Sequence, residues 1–289
     1  MEKETNIVSK KDEFMLIFEV INGNPNGDPD NDGAPRVDVQ TRHGIVTDVC
    51  QKRRVRDYIA LKKGGEPGFD ILINSDKTLN EKNTEAFIAE NLPLNLEDKA
   101  KKCDVMKARA YMLRRYYDAR VLGAVMSTGK DRCGTAKGPV KITMARSVSP
   151  VYVEDLTITR KARTTEERQK TGDTEFGRKY IIPYGLYVAK GFVSPADAEK
   201  TGMTEEDLDL FYEALINMFD YFRSAASGEM YTRKLLVFRH DSPLGGPRAY
   251  DLFNKVSIKE KVKYPREFSD YEIAIDRNMP EGVELIEML

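Results

Sequence analysis

Short apolar runs and amphipathic stretches alternate along the chain, and their order predicts a mixed α+β protein. Residues 14–21 form an apolar run bounded by turn residues, as expected for a buried strand. The pattern then predicts helices at 47–62 and 98–119, strands at 140–148 and 179–192, a helix from 204 to near 228, and a strand at 234–240. With the helix at 98–119 set aside, the order is strand, helix, strand, strand, helix, strand. That is the order of a ferredoxin-like or RRM-like fold.

Two of the predicted helices carry an apolar stripe at helical spacing. In the helix at 98–119 the stripe comprises Met106, Ala110, Leu113, Tyr117 and Val121. In the helix that opens at 204 the stripe comprises Leu208, Phe211, Leu215, Phe219 and Phe222. Thr204 and Asp207 at its start resemble a capping box in which aspartate replaces the usual glutamate. Both stripes are expected to face the core.

Three segments fall outside the minimal core of a single domain at 1–289. Residues 64–130 are expected to form a finger or helical insertion, and residues 241–289 a C-terminal extension. Residues 157–179 are polar and are flanked by segments that can pair, so they predict a protruding β-hairpin. A disordered surface loop is the alternative for this segment.

The loop at 22–33 and the helix that follows it form a candidate binding site. The loop is a run of Asn, Gly, Pro and Asp residues, which neither continue a strand nor start a helix at low cost. Four cations follow within five residues of the helix: Lys52, Arg53, Arg54 and Arg56. Backbone N–H groups and positive charge placed together suit a phosphodiester chain.

The net charge of the chain is close to zero, but the charges are concentrated in separate basic and acidic regions. The chain has 289 residues, of which 40% are hydrophobic and 32% charged, and its net charge is −1. Residues 52–63 carry six cations and one anion, and residues 99–120 carry eight cations and two anions. Residues 267–289 carry seven anions and one cation. A polyanion could bind the basic regions and a protein the acidic end, although solvated helix faces remain an open interpretation.

Several function classes are disfavoured by the sequence. No run of eighteen apolar residues exists to span a membrane, and the N-terminus lacks the apolar segment of a secretory signal. Cys50, Cys103 and Cys133 are too few and too widely spaced for a disulfide framework or a zinc site. We therefore expect a cytoplasmic protein without membrane contact, metal or other cofactor.

A calcium site is a weaker interpretation of the same loop. Asp28, Asp30, Asp32 and Gly33 match the opening of an EF-hand loop. The closing glutamate is missing, because Val39 occupies the twelfth position. A strand rather than a helix also precedes the loop, which disfavours this site.

Four segments together support a resemblance to a known family. They are GNPNGDPDNDGAPR, TDVCQKRRVRDYI, VKITMARSVSP and GRKYIIPYGLYVAKGF. In this order they resemble the backbone subunit of type I CRISPR surveillance complexes, the Cascade family of the RAMP superfamily. The type I-C version is the most similar, and the resemblance covers nearly the whole chain.

The resemblance implies a modified RRM-like palm with inserted finger helices and a β-hairpin thumb. It implies that copies of the chain polymerise along the CRISPR RNA as a helical filament in antiviral defence. Each copy would grip the RNA backbone regardless of sequence and leave the guide bases free to pair with target DNA. Other Cascade subunits would be partners, and the chain itself would not be an enzyme. An ordinary RRM reads bases with aromatic RNP motifs, and the RNP1 pattern is absent here.

The resemblance also suggests RNA-binding residues in each region. Those of the palm are Asn24, Asn26, Arg36, His43, Lys52, Arg53 and Arg56. Those of the glycine-punctuated loop at 129–138 are Thr135 and Lys137. Those of the thumb are Arg160, Lys161, Arg163, Arg178 and Lys179.

A metal-dependent RNase of the same superfamily is the alternative function. Type III relatives use a loop aspartate in RNA cleavage, and the loop here is rich in aspartates that could hold magnesium. Against this, His43 and His240 are the only histidines, and neither has companions that suggest general base catalysis.

Overall fold

The computed structural model describes residues 6–94, 101–160, 175–221 and 223–289. The described strands are β1 (Asp12–Gly23), β2 (His43–Val46), β3 (Gly123–Met126), β4 (Gly134–Lys137), β5 (Val140–Ile142), β6 (Ala145–Pro150), β7 (Glu154–Arg160), β8 (Glu175–Val193), β9 (Glu229–His240), β10 (Val256–Glu260), β11 (Tyr271–Ile275) and β12 (Val283–Glu287). The described helices are α1 (Asp48–Lys63), α2 (Leu79–Ala89), α3 (Lys102–Arg115), α4 (Tyr117–Val121), α5 (Pro195–Thr201), α6 (Glu205–Tyr221) and α7 (Ala249–Phe253). The predicted α+β class is confirmed.

An antiparallel sheet of strands of unequal length forms the centre of the fold. Its strands follow the order β12, β9, β1, β8, β6, β2, and β5 and β7 also pair with β8. β1 pairs with β8 over its whole length, from Asp12 opposite Val193 to Gly23 opposite Ile182. The N-terminal part of β8 extends beyond β1 and pairs only with β7, from Glu154 opposite Ile181 to Arg160 opposite Glu175, among the described strands. We call this pair of strands the β7–β8 hairpin.

The central strand β1 is buried on both faces. Phe14 and Phe18 pack on one face, where their rings lie 5.7 Å from Phe211 and 5.0 Å from Phe219 of α6. Met15 and Ile17 pack on the other face, in a cluster with residues of α7 and β11. The continuous apolar run at 14–18 therefore reflects burial on two sides, not on one.

Helix α6 begins and packs as predicted. Thr204 N donates to Asp207 Oδ2 at 3.0 Å and Asp207 N donates to Thr204 Oγ1 at 3.2 Å, which is a reciprocal capping box with aspartate. The predicted stripe residues from Leu208 to Phe219 are buried in the main core. Phe222 lies outside the described residues.

The prediction of one helix at 98–119 was wrong. α3 ends at Arg115 and α4 begins at Tyr117, because Tyr117 N donates to Asp70 O at 2.9 Å. Met106 and Ala110 are exposed, so the first half of the predicted stripe does not face a core. Ala108 and Met112 are buried instead, in a small cluster with residues of α2.

The prediction of one strand at 140–148 was also wrong. The chain leaves β5 after Ile142 and enters β6 at Ala145. Thr143 lies at this break, where its N–H donates to Lys190 O at 2.8 Å and its carbonyl accepts from Gln51 Nε2 at 3.0 Å. The break leaves Met144 exposed next to the N-terminal half of α1.

The C-terminal residues form a layer on the sheet. β12 forms the edge of the sheet and pairs with β9, and β10 pairs with β11 as a separate two-stranded sheet. Leu252, Phe253 and Tyr271 from this layer are buried against the face of the sheet that α1 and α6 do not cover. None of the described helices combines the length and the apolar character needed to cross a membrane.

A buried ion pair joins α4 to the start of α6. Arg120 Nε donates to Asp207 Oδ2 at 2.8 Å, and Arg120 Nη2 donates to Asp207 Oδ1 at 2.7 Å. The same guanidinium donates to Leu113 O and Gly68 O. This network attaches the helices of the 64–130 region to the main core.

Replacing Arg120 with alanine is expected to lower the free energy of unfolding by about 3–5 kcal/mol, because Asp207 would remain buried without its charged partner. Urea denaturation followed by circular dichroism measures the change. Arg114→Ala is the control, since Arg114 pairs with Glu90 at the surface and its loss should cost less than about 1 kcal/mol. Equal losses in the two variants would contradict a structural role for the buried pair.

Candidate nucleic-acid interface

The loop after β1 is closed by its own hydrogen bonds. Asn24 Nδ2 donates to Gly33 O at 2.7 Å, and Asp28 N donates to Ala34 O at 2.8 Å. Gly33 adopts a φ of +77°, which favours glycine at this position. The Asn24 side chain therefore shapes the loop, and its predicted contact with RNA stays a prediction.

Asn26 fixes this loop to the N-terminus of α1. Its Oδ1 accepts from both the N–H and the hydroxyl of Thr47, each at 2.9 Å. Thr47 in turn caps the helix, because its Oγ1 accepts from Cys50 N at 3.2 Å. The first backbone N–H groups of α1, at Asp48 and Val49, have no acceptor within the helix. They lie at the positive end of the helix dipole, which favours anions.

An open groove of about 740 Å³ runs over this helix terminus. Its lining residues come from the connection between β1 and β2, the N-terminal half of α1, the β5–β6 break and the turn before β9. They are Asn26, Arg36, Thr47, Asp48, Val49, Cys50, Arg53, Arg54, Asp57, Met144, Ser224 and Ser227. We call it the α1 groove. Three arginines and two aspartates line it, so its cations outnumber its anions.

The arginines of the α1 groove differ in their bonding. Arg53 is 69% exposed, and its Nε donates to Asp57 Oδ1 at 2.7 Å in a surface ion pair. Arg36 lies 3.1 Å from Asp28, and its buried Nε has no hydrogen-bond partner among the described residues. The Arg53–Asp57 pair lies at the surface, where such pairs contribute about 0–1 kcal/mol, so a phosphate can replace the carboxylate there at little cost. The Arg54 guanidinium packs over the Phe219 ring at 5.4 Å.

Lys52 and Arg56 are placed differently from Arg53. Lys52 Nζ pairs with Asp48 Oδ2 at 2.9 Å, one turn back along α1. The Arg56 side chain is only 11% exposed, and its Nε donates to Asp118 Oδ2 at 2.7 Å. Asp118 also accepts from the backbone N–H of Leu72 at 2.7 Å. This pair connects α1 to α4, which gives Arg56 a structural role, and its predicted RNA contact stays untested.

The other predicted site residues lie outside the lining of the α1 groove. His43 begins β2 opposite Pro150 and is half-buried. Thr135 and Lys137 lie on β4, and Lys137 Nζ pairs with Asp197 Oδ2 at 2.8 Å. Their contacts with RNA stay predictions.

Three of the predicted thumb residues, Arg160, Arg178 and Lys179, lie on the β7–β8 hairpin. Arg160 ends β7, and Lys179 lies on β8 opposite Leu156. Lys161 and Arg163 lie outside the described residues. The pKa of Arg178 is raised by its hydrogen bond with Tyr180 and by the negative charges of Asp155 and Asp32.

Sequence reasoning missed part of the α1 groove. Met144 enters it through the break between β5 and β6, which apolar periodicity does not reveal. Ser224 and Ser227 enter through the turn before β9, where their hydroxyl groups lie 2.9 Å apart. The sequence analysis extended the helix that opens at 204 to near 228, whereas α6 ends at Tyr221 and residues 225–227 form a turn. The position of these two serines was therefore not predicted.

One carboxylate of the loop at 22–33, that of Asp28, is engaged by neighbouring residues. Asp28 Oδ1 accepts from Asp30 N at 3.3 Å and pairs with Arg36. Among the described residues, no group of three His, Cys, Asp or Glu side chains is arranged to hold a metal ion.

Comparisons with known proteins agree with one another. The family described as CRISPR-associated protein Cas7 matches residues 10–276 of the chain. A curated relative from Haloferax volcanii, also described as CRISPR-associated protein Cas7, is 26% identical over 215 residues. That match covers 69% of this chain and 61% of the relative, so the chain spans less than two thirds of the relative's length.

Two solved structures are similar to the chain. One, described as "CRISPR RNA-guided surveillance complex, pre-nicking", superposes with a TM-score of 0.51 at 13% identity and covers 79% of this chain and 78% of that chain. Another, described as "CRISPR RNA-guided surveillance complex", superposes with a TM-score of 0.44 at 14% identity and covers 79% and 68%. The first likeness shows a shared fold.

Replacing Asn26 with alanine is expected to lower the free energy of unfolding by about 1–3 kcal/mol, because the Thr47 N–H and hydroxyl lose their acceptor. Urea denaturation measures the change. Asn31→Ala is a control in the same loop, since Asn31 is exposed, and it should stay within about 0.5 kcal/mol of the parent chain. A loss no larger than that of the control would mean that Asn26 does not hold the loop to α1.

Proposed function

The chain belongs to the Cas7 family of CRISPR-associated proteins, and we propose that it is the repeated backbone subunit of a type I-C Cascade complex. In this role it binds the CRISPR RNA through phosphate and ribose, and it presents the guide bases to target DNA. The type I-C assignment rests on the four sequence segments that resemble that version of the subunit.

The α1 groove is the observation that carries this proposal. It combines the N-terminus of a sixteen-residue helix with the exposed guanidinium of Arg53 and the partly exposed Arg36. Backbone N–H groups and arginines both bind phosphate oxygens, and such contacts carry no sequence information. A guide-binding subunit needs this property, since the spacer differs from one guide to the next.

The arrangement of the sheet supports recognition of the RNA backbone. β9, β1, β8 and β6 are neighbours in an antiparallel sheet, with α1 and α6 on one face, which fits an RRM-like palm. In an ordinary RRM the other face of the sheet is open and stacks bases. Here the C-terminal layer covers that face with Leu252, Phe253 and Tyr271. RNA would therefore bind at the end of the strands, where the α1 groove lies.

The β7–β8 hairpin supports assembly of several copies along one RNA. It projects from the sheet as an extension of β8, and Leu156, Ile158 and Phe176 on it are exposed. Leu156 and Ile158 share one face of the hairpin, whereas Phe176, opposite Thr159, lies on the other face. Adjacent exposed apolar side chains such as Leu156 and Ile158 are typical of a surface that meets a protein. We propose that the hairpin is the thumb, which contacts the RNA and the neighbouring copy, while the acidic C-terminal residues face away from the RNA.

We propose no nuclease activity for this chain. Asp28 is engaged with Arg36 and with the backbone of its own loop, and this bonding favours a structural role over metal binding. In the RNase alternative, Asp28 would have to leave these partners before it could bind a metal.

The double variant Arg36→Ala, Arg53→Ala is expected to bind guide RNA more weakly, and by the same factor for two RNAs of unrelated sequence. The logarithm of its binding constant should also fall less steeply with salt, by about 0.7 per lost phosphate contact on a single strand. Fluorescence anisotropy with labelled RNA at several salt concentrations measures both effects.

Arg277→Ala is the matched control for this variant. Arg277 is also 69% exposed and also pairs at 2.7 Å, with Glu287, but it lies in the C-terminal layer. Its replacement should leave affinity and salt dependence unchanged. If the double variant behaves like this control, the α1 groove is not the RNA site.

A chain in which an Asn-Gly turn replaces residues 158–177 is expected to fold but not to assemble along RNA. The turn joins Thr157 to Arg178, which are paired in the hairpin, so the rest of the sheet keeps its register. The deleted Ile158 and Phe176 side chains are exposed, so the free energy of unfolding should change little. Circular dichroism checks the fold, and sedimentation with CRISPR RNA follows assembly. Assembly equal to that of the full chain would refute the thumb assignment.

A further inference from the structure

A second pocket lies beside β2 and β6, apart from the groove over α1. It has a volume of about 370 Å³, within the range of about 300–1,000 Å³ typical of small-ligand clefts. Its lining comes from the turn before β2, the end of β6, β8 and the segment between β10 and β11. The residues are Arg42, Ser149, Pro150, Val151, Tyr152, Tyr184, Gly185, Glu260, Lys263, Tyr264, Pro265, Arg266 and Tyr271. We call it the tyrosine pocket, and it has no lining residue in common with the α1 groove.

Tyrosines form both the base and the rim of this pocket. Tyr184 and Tyr271 are buried, and their hydroxyl groups are already bonded, to Glu19 at 3.0 Å and to Ser149 at 2.7 Å. Tyr152 and Tyr264 are different, since they are 65% and 69% exposed. Two exposed aromatic side chains at one opening are available for stacking against a flat ligand.

The cations of the tyrosine pocket have no carboxylate partner in the part of the chain that the structure describes. Arg42, Lys263 and Arg266 are exposed, and none of them forms an ion pair with another described residue. Lys263 Nζ lies 5.2 Å from the Tyr264 ring centroid. Among the described lining residues, Glu260 is the only carboxylate, and it accepts a hydrogen bond from Ser149. The pocket therefore has a surplus of positive charge beside its aromatic rim.

We propose that the tyrosine pocket binds one unpaired nucleotide of a single-stranded nucleic acid. The base would stack on Tyr152 or Tyr264, and the phosphates on either side of it would contact Arg42, Lys263 and Arg266. Aromatic stacking together with cations that track a backbone is the usual means of binding single strands without reading sequence. This site goes beyond the proposed guide-binding function, because it requires no contact in the α1 groove.

The chain has no tryptophan, and this makes a specific test possible. A full-length Tyr264→Trp variant carries one tryptophan, placed at the rim of the pocket. Its fluorescence is titrated with oligouridylate, with oligothymidylate, and with an abasic oligodeoxynucleotide of the same length. The first two strands distinguish RNA from DNA, and the third supplies phosphates without bases. Tyr250→Trp is the matched control, because Tyr250 is 73% exposed but lies on α7 outside the pocket.

The expected result is that a base-containing strand quenches most of the indole emission of the Tyr264→Trp variant, while the abasic strand and the Tyr250→Trp control show little quenching. In addition, Tyr264→Ala should weaken binding of a short oligonucleotide about fivefold or more. The same quenching should persist when Arg36→Ala and Arg53→Ala are added. If this background binds guide RNA more weakly while the short oligonucleotide still quenches the tryptophan, the two sites are separate.

Three results would overturn this inference. The first is no quenching by either base-containing strand in a variant that is folded by circular dichroism. The second is equal quenching by the abasic strand, which would mean that the pocket attracts phosphate alone. The third is an emission change that follows protein concentration without any nucleic acid, which would mean that a second copy of the chain occupies the pocket. None of these results would bear on RNA binding in the α1 groove, which the arginine variants test separately.

Discussion

Strand β1 lies at the centre of the sheet and packs apolar side chains on both faces. Phe14 and Phe18 contact α6 on one side, and Met15 and Ile17 contact the C-terminal layer on the other. A sheet covered on both sides offers no open face on which bases can stack. A nucleic acid can then reach only the ends of the strands and the loops beside them. The α1 groove and the tyrosine pocket both lie in such places.

Some of the cations in this chain form buried ion pairs that stabilise the fold, and these are not available to a ligand. Arg56 and Arg120 come from the two basic stretches of the sequence, yet each is buried against an aspartate. Buried pairs of this kind fix the position of one element on another, and their loss leaves an unpaired charge in the core. A local excess of cations in the sequence therefore overstates the charge available to a ligand. Arg53 is one cation of these stretches that remains at the surface, and Arg36, outside them, adds a partly exposed guanidinium.

The sequence predicted the elements whose signals are local. The apolar run of β1, the cap and cations of α1, and the capping box of α6 all arise from residues within a few positions of one another. The break at Tyr116 was not predictable in this way, because it depends on a hydrogen bond to Asp70 across the fold. The same holds for Arg56, whose partner Asp118 is 62 positions away along the chain. The C-terminal layer was expected only as an extension, since its strands are short and gain stability from the sheet they cover.

The short strand β2 links the two candidate binding surfaces. Arg36 before it lines the α1 groove, and Arg42 at its start lines the tyrosine pocket. Gly44 N donates to Ser147 Oγ at 2.8 Å, which holds β2 against β6. A side chain at Gly44 would meet the Tyr187 hydroxyl at 2.2 Å, so only glycine lets β2 approach this closely. Because β2 is fixed in this way, the α1 groove and the tyrosine pocket keep a constant separation. A single nucleic-acid chain that contacted both would have to follow a path set by the protein.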